Sequence, residues 1–417
     1  MQTGANLGAI WLQLYSEISL STVYICKHSI GYLCQIKNYS MEVSSWYTHS
    51  FETRLKGRYL HSKHLNPILD LYEDEFSISV IGASENKKNI RCVKIGKGEK
   101  VVLGWSQMHG NESTTTKAIF DFFKFITQKD SFETEISTFL DTYTFYIIPI
   151  LNPDGAELYT RENANGIDLN RDAVDLSQSE SKVLHTIFNA VKPDMCLNLH
   201  DQRTMYSLPD AKSACISFLA PAANANRDIT DARRGAMGHI ARMYKTLNRY
   251  IPGHIGRYDD DFNENCVGDT FQKLGVPTIL FEAGHCPNDS QREKTREYIF
   301  YALLSLFGIT NEKEPSNDDD YFLIPENGKL FKDVIIRNVD IAGKLTSLSI
   351  SYEEVLEENT IQFVPILDKI GGLDSFFGHK EVDGAGAKIL LNSYENVFVG
   401  EKVATIVADK SGICLFP

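Results

Sequence analysis

A histidine and a carboxylate stand three residues apart in His109-Gly110-Asn111-Glu112, directly after an apolar run at 101–105 and before a helical pattern. At such a strand-to-helix junction both side chains can point at one ion, supplying two of the three protein ligands of a catalytic His2Glu zinc site. Alone, the pair could equally be a strand-end histidine and a first-turn carboxylate facing a helix dipole. A tetrahedral site closes only when a separate element brings a third side chain across. His200 meets that need, because it stands at the exit of the apolar run 195–199, and strand ends are where sites collect in open α/β sheets. Between these segments lie Asn152-Pro153-Asp154-Gly155 and a loop from Arg161 to Arg171 crowded with arginine, asparagine and aspartate. Proline and glycine mark turns, whereas the planar fork of arginine suits bidentate capture of a carboxylate. A solvated polar loop is the plainer alternative.

The elements that must position these groups are legible in outline. Short apolar, β-rich runs at 101–105, 144–151, 195–199, 216–219 and 277–281 alternate with helical-period segments, which is the pattern of an α/β layer fold. Leu184, Ile187, Phe188 and Val191 recur at helical spacing, further helices are expected over 223–247 and 292–307, and one follows His109. That last helix should start at Ser113 or a neighbouring threonine and bury Ile119, Phe122, Phe123 and Ile126. After Gly308 the composition shifts. Residues 311–320 are polar, acidic and proline-containing, as in a linker, and 321–417 alternate short apolar runs with glycines, as in a small all-β domain. The catalytic part is therefore expected over 41–310. Residues 1–40 are unlike the rest and read as an upstream extension of doubtful status, with apolar stretches broken before the length of a membrane span. Gly384-Ala385-Gly386 lacks the third glycine of a dinucleotide fingerprint.

Composition narrows the partners. A formal net charge of −13 argues against nucleic acid and anionic membranes. Apolar and charged contents of 43% and 23% are those of a folded globular chain. The eight cysteines form no CxxC pair and several sit in apolar runs, so reduced, buried thiols in a cytoplasmic protein are expected rather than a disulfide framework.

Taken in order, His109-Gly-Asn-Glu112, Asn152-Pro-Asp-Gly155, the stretch Arg161 to Arg171 and a later strand ending in Phe281-Glu282 resemble the zinc carboxypeptidase (carboxypeptidase A-like) family over about 41–308. The resemblance implies a three-layer α/β/α sandwich with a mixed, mainly parallel sheet, one zinc per chain held by His109, Glu112 and His200, and a peptide-like substrate with a free carboxylate. It implies Glu282 as general base, Arg161 polarising the scissile carbonyl, Asn170 and Arg171 holding the terminal carboxylate, and Tyr258 closing over bound substrate. Asp168 would accept the imidazole N–H of His109 and raise its basicity. The run after His200, Asp201-Gln202-Arg203, departs from the digestive enzymes. His239, His254 and His285 are expected to be ordinary core or loop histidines, since three ligands already suffice. The tail more weakly resembles the β module of aspartoacylase-like and succinylglutamate desuccinylase-like enzymes, through Val399-Gly400-Glu401-Lys402 and the segment from Asp409 to Gly412. That keeps a zinc amidohydrolase or deacylase acting on N-acyl amino acids or cell-wall-type peptides as the alternative, with a non-catalytic binding protein of the same fold as the third reading.

Overall fold

Eight strands form the main sheet in the order β1-β2-β4-β3-β5-β10-β8-β9. In chain order these are β1 (Ser77–Ala83), β2 (Asn89–Ile95), β3 (Lys100–Ser106), β4 (Tyr143–Ile148), β5 (Met195–Asp201), β8 (Ile216–Leu219), β9 (Ile255–Arg257) and β10 (Thr278–Ala283). The two-residue strands β6 (Ser207–Leu208) and β7 (Lys212–Ser213) pair apart from it. β3 runs parallel to β4 and β5, β5 to β10 and β8 to β9, while β1–β2, β2–β4 and β10–β8 are antiparallel. The computed structural model describes residues 47–128, 132–310, 317–395, 397–409, 412 and 414–416, so the extension expected over 1–40 lies outside the described residues. Residues 52–417 group as one compact unit, and that unit holds the site.

All seven residues of β5 are buried, as expected of a central strand covered on both faces. On one face Trp105, Leu103, Leu184, Phe188, Cys196 and Phe271 pack together, with the Phe188 and Phe271 rings stacked 4.0 Å apart. These bring in the helices Ser179–Val191 and Val267–Lys273. The helices Thr114–Thr127 and Glu293–Leu306 are clamped by an ion pair with no solvent exposure, Asp121 with Arg296 at 2.5 Å. Arg296 also donates to the Leu55 and Glu52 carbonyls, so every charge in this contact is met by hydrogen bonds.

Several expected boundaries move for local reasons. The run expected over 144–151 stops at Ile148, because Pro149 cannot donate to the ladder. The helix expected over 223–247 begins only at Asp231, where the Thr230 side chain caps the Arg233 N–H, and 223–230 is loop. Ser113 does hold the N-cap position of the Thr114 helix, but its hydroxyl donates to the Arg58 carbonyl instead of capping. Strands β1 and β2 and the helices Ser62–Leu69 and Glu133–Thr142 were not foreseen. Of the expected linker, 311–316 lie outside the described residues. Asp318 to Asp320 open a short 3-10 helix, Asp318–Leu323, in which Asp318 pairs with Arg234 and Asp320 with Lys245 at 2.6 Å each.

The C-terminal part is a second, all-β sheet. Its strands are β11 (Phe331–Ile341), β12 (Lys344–Glu357), β13 (Thr360–Ile370), β14 (Phe377–Leu391), β15 (Ile406–Ala408) and β16 (Cys414–Phe416), ordered β13-β12-β11-β14-β15-β16. Val334, Ile336, Leu348, Ile350, Leu367 and Ile389 are fully or almost fully buried in its own core. Among the described residues no helix is long and apolar enough to cross a membrane. One cysteine expectation is overturned: Cys215, one residue before β8, and Cys286, in the loop after β10, are disulfide-bonded with Cα atoms 4.5 Å apart. Their 71-residue separation hid a pairing that only the antiparallel register of β8 and β10 creates. Cys92, Cys196, Cys266 and Cys414 are free.

Candidate metal centre and cleft

Three neighbouring parallel strands, β3, β5 and β10, end together, and each delivers one part of the site. In the β5–β10 ladder Glu282 lies directly beside His200, and β3 leads through Gln107 and Met108 to His109. Gln107 has a positive φ of 44° and is fully buried. Its side-chain amide donates to the Leu60 and Gly110 carbonyls and its oxygen accepts from Thr116, which fixes the exit of β3. Asn152 ties the neighbouring segments to this exit. Its Oδ1 accepts from the Gly155 N–H, capping the helix Pro153–Leu158, while its Nδ2 donates to the Met108 and Glu162 carbonyls. Gly110 passes so close to Gly155 that a Cβ on it would stand 1.9 Å from the Gly155 carbonyl carbon. The two sequence motifs are thus packed backbone to backbone.

His109 Nδ1 lies 2.9 Å from Glu112 Oε1, His200 Nδ1 lies 2.9 Å from Glu112 Oε2, and the two Nδ1 atoms are 3.1 Å apart. His109 Nε2 is 3.0 Å from Asp168 Oδ1 and donates its proton there, which leaves the Nδ1 lone pair facing a carboxylate oxygen. His200 Nε2 is buried without a hydrogen-bond partner among the described residues. Arg161 Nη1 lies 3.2 Å from His109 Nδ1, and the acceptors of Glu112 and His200 turned on the same buried space call for a further cation between them. Donors bound to one tetrahedral zinc are separated by roughly 3.3 Å, close to the spacing here. The residues therefore fit the ion. Among the described residues this is the one cluster of histidine, cysteine and acidic groups able to hold a metal, with ligand atoms all within 4.8 Å of one another. His239, His254 and His285 are engaged elsewhere, with Arg242, the Ser213 carbonyl and the Gln202 carbonyl respectively.

Around the ligands the electrostatics divide the carboxylates into two kinds. Burial works to raise Glu112, but His109 and His200 bring it well below the usual carboxylate range. Asp168 is likewise lowered against its burial by His109 and Arg161. Glu282 goes the other way: burial first, then the charges of Glu112 and Asp201, push it well above the ordinary value.

The remaining expected residues are unequally placed. Arg161 reaches the centre, with Nη2 donating to Asp168 at 2.9 Å and Nη1 lying 3.5 Å from Glu112 Oε1. Tyr258 packs its ring 5.1 Å from that of Tyr206, and after burial the Glu282 charge is the next cause raising its phenol. The Asn170 N–H donates to Asp168, and its side-chain oxygen accepts from the Val267 N–H. Arg171 is not brought against the ligands: it is exposed, with Nη1 donating to the Asn170 carbonyl and to Cys266 Sγ. Some of the loop's polarity is structural, since Asn163 and Asn165 donate to Gln178 and Asn163 accepts from the Asn165 and Ile167 N–H groups.

Sequence reasoning missed two groups. Asp201 donates its N–H to Glu112 Oε2, and its carboxylate accepts from the Thr114 N–H. Arg292, on the loop side of the Glu293 helix, donates to the carbonyls of Gln202, one residue past β5, and Ala283, the last residue of β10. Asp201 could have been suspected from its place beside His200. Nothing in the sequence around Arg292 points inward.

The sequence model of the zinc carboxypeptidase family matches residues 61–246, within the α/β part of the chain. The match spans His109, Glu112, Arg161, Asp168, Asn170, Arg171 and His200 but ends before Tyr258 and Glu282. Among solved structures, the chain is similar to a metallo-carboxypeptidase from Burkholderia cenocepacia (16% identity, 60% of this chain and 68% of that one, TM-score 0.47). It is also similar to carboxypeptidase A from Helicoverpa armigera (14% identity, 66% and 82%, TM-score 0.46). The protein is a zinc-dependent peptide hydrolase of the metallocarboxypeptidase type.

Proposed function

We propose that the cleft removes residues from the carboxyl end of peptide-like substrates, with a catalytic part over 41–310 and an accessory β part over 321–417. The observation that carries this reading is the placement of Glu282, raised and partly buried, beside His200 on the next strand. His109, Glu112 and His200 would hold the zinc, which when bound would supply a Lewis acid for water and for the scissile carbonyl. Glu282 accepts the proton of the attacking water and then delivers it to the departing nitrogen. Arg161 stands where negative charge develops on the carbonyl oxygen. Asp168 holds the His109 ring in the tautomer that keeps Nδ1 free. Asn170 and Arg171 bind the terminal carboxylate through charge-assisted hydrogen bonds, and Tyr258 covers the occupied cleft.

The rival is an amidohydrolase of N-acyl amino acids. It is suggested by the C-terminal β part, whose Glu354 accepts from Arg203, three residues past His200. Hydrolysis of a peptide panel beside an N-acyl amino acid panel, with and without a zinc chelator, tests both. Chelator-sensitive release of C-terminal residues supports the first reading, and cleavage confined to acyl amino acids replaces it with the second. A cytoplasmic location remains the proposal from the four thiols free among the described residues, with the Cys215–Cys286 bond as the observation against it, since such bonds persist mainly in oxidising compartments. The net charge of −13 supports leaving nucleic acid out of the partners.

A further inference from the structure

One carboxylate from the C-terminal sheet joins three segments that adjoin the cleft. Glu354, on β12, has a side chain only 8% exposed and lies with Oε1 2.8 Å from Arg58 Nη2. Its Oε2 accepts from Arg203 Nη1 at 2.7 Å and from the Tyr159 hydroxyl. Each partner is one short step from a site residue. Tyr159 is two residues before Arg161, Arg203 is three after His200, and the Arg58 carbonyl accepts from Ser113 Oγ at 2.6 Å, next to Glu112. Tyr159 is also held in the left-handed region at φ 58°, so its side chain is aimed by a backbone with little freedom to re-aim it.

The charges around Glu354 make it hard to replace. Arg58, Arg203 and Arg292 face it, with Asp201 the nearest other anion to Arg292 at 3.5 Å and Asp333 close by on β11. Burial would raise its carboxyl, yet the three arginines hold it at about 2. Without that anion, Arg58 and Arg203 would be left as near neighbours of like charge in a largely buried space, and the segments they belong to would separate.

We propose that Glu354 is a positioning residue of the active site, which makes the C-terminal β sheet part of the catalytic unit. It acts through Tyr159, Arg203 and Arg58 on the segments of Arg161, His200 and Glu112. This inference rests on the peptidase reading for its kinetic consequence, but its spectroscopic consequence is independent of turnover.

The test uses the full chain and the variants Glu354→Gln and Glu354→Ala, each zinc-loaded for kinetics and Co2+-substituted for visible spectroscopy. Glu381→Gln, which breaks the exposed pair with Arg337 on the same sheet, serves as control. Displacements on the order of 1 Å in a catalytic constellation can cost about 100-fold. Both Glu354 variants are therefore expected to lose roughly 10- to 100-fold in kcat with a smaller change in KM, at full metal content, and to shift the cobalt bands. Acetate is expected to restore part of the rate and of the spectrum in Glu354→Ala alone, the wild type titrated alongside. Glu381→Gln is expected to match the wild type in both readouts. A Glu354→Gln protein whose kcat and cobalt spectrum equal those of the wild type overturns the inference, whether or not the alanine variant folds. If the wild type cleaves nothing in either panel while its cobalt spectrum still responds to Glu354, the peptidase reading fails and this one stands.

Discussion

At the scale of single residues, chemistry was most legible where several side chains serve one ion. His109, Glu112 and His200 could be chosen from spacing and strand exits, because ligand types and their junctions are encoded locally. Arg171 could be named but not placed. Its guanidinium rests on the Asn170 carbonyl and Cys266, open to solvent and without a carboxylate partner among the contacts described. Each charge-assisted hydrogen bond is worth about 1.5–3 kcal/mol. Arg171→Ala is accordingly expected to raise KM about 10- to 100-fold for substrates with a free terminal carboxylate and to leave their amidated counterparts nearly unchanged. Equal losses on both substrate types would remove Arg171 from carboxylate binding.

At the scale of elements, the strands that carry the site were found from apolar runs, since β3, β5 and β10 are buried on both sides and leave continuous hydrophobic segments. The edge strand β1 is illegible for the converse reason: it is exposed or half-buried throughout, with no buried position in its pattern, so its sequence carries no such run. The meeting of the two glycine-containing motifs was also illegible, because a glycine required by a neighbour's backbone looks like any turn glycine. It has a measurable consequence. Alanine at Gly110 must push its Cβ into the Gly155 backbone, which no side-chain adjustment relieves. Overpacking of this kind costs about 1–3 kcal/mol. Gly110→Ala is expected to lower both the denaturation midpoint and the zinc content per chain. Wild-type values for both would show that the two segments are not held this closely.

At the scale of the whole molecule, the sequence separated an α/β part from a β part and had no means of seeing that they meet at Glu354. Pairing between residues as far apart as Arg58, Arg203 and Glu354 leaves no local pattern, and the same is true of Cys215 with Cys286. The contact has a pH signature whose sign follows from its direction. The Glu354 carboxyl lies at about 2 in the folded protein against an ordinary 4.5, so the unfolded chain binds the extra proton between those values. Its contribution is fully present above about pH 4.5 and is lost as pH falls toward 2. The loss is on the order of 3 kcal/mol, from about 1.4 kcal/mol per pKa unit. Urea midpoints at pH 6 and pH 3 are expected to fall further in the wild type than in Glu354→Gln, with zinc loss common to both. A wild type no more acid-sensitive than the variant would contradict the buried ion cluster.

The central claim is that β5 and β10 set a proton-transferring carboxylate beside a zinc site, and the most direct measurement is kcat of Glu282→Gln at saturating substrate, with zinc assayed in the same sample. The amide keeps the shape of the side chain but cannot accept a proton from water. We expect zinc at about one per chain, an unchanged KM and a kcat lowered about 100-fold or more. A zinc-loaded Glu282→Gln protein that turns over near the wild-type rate would contradict the account.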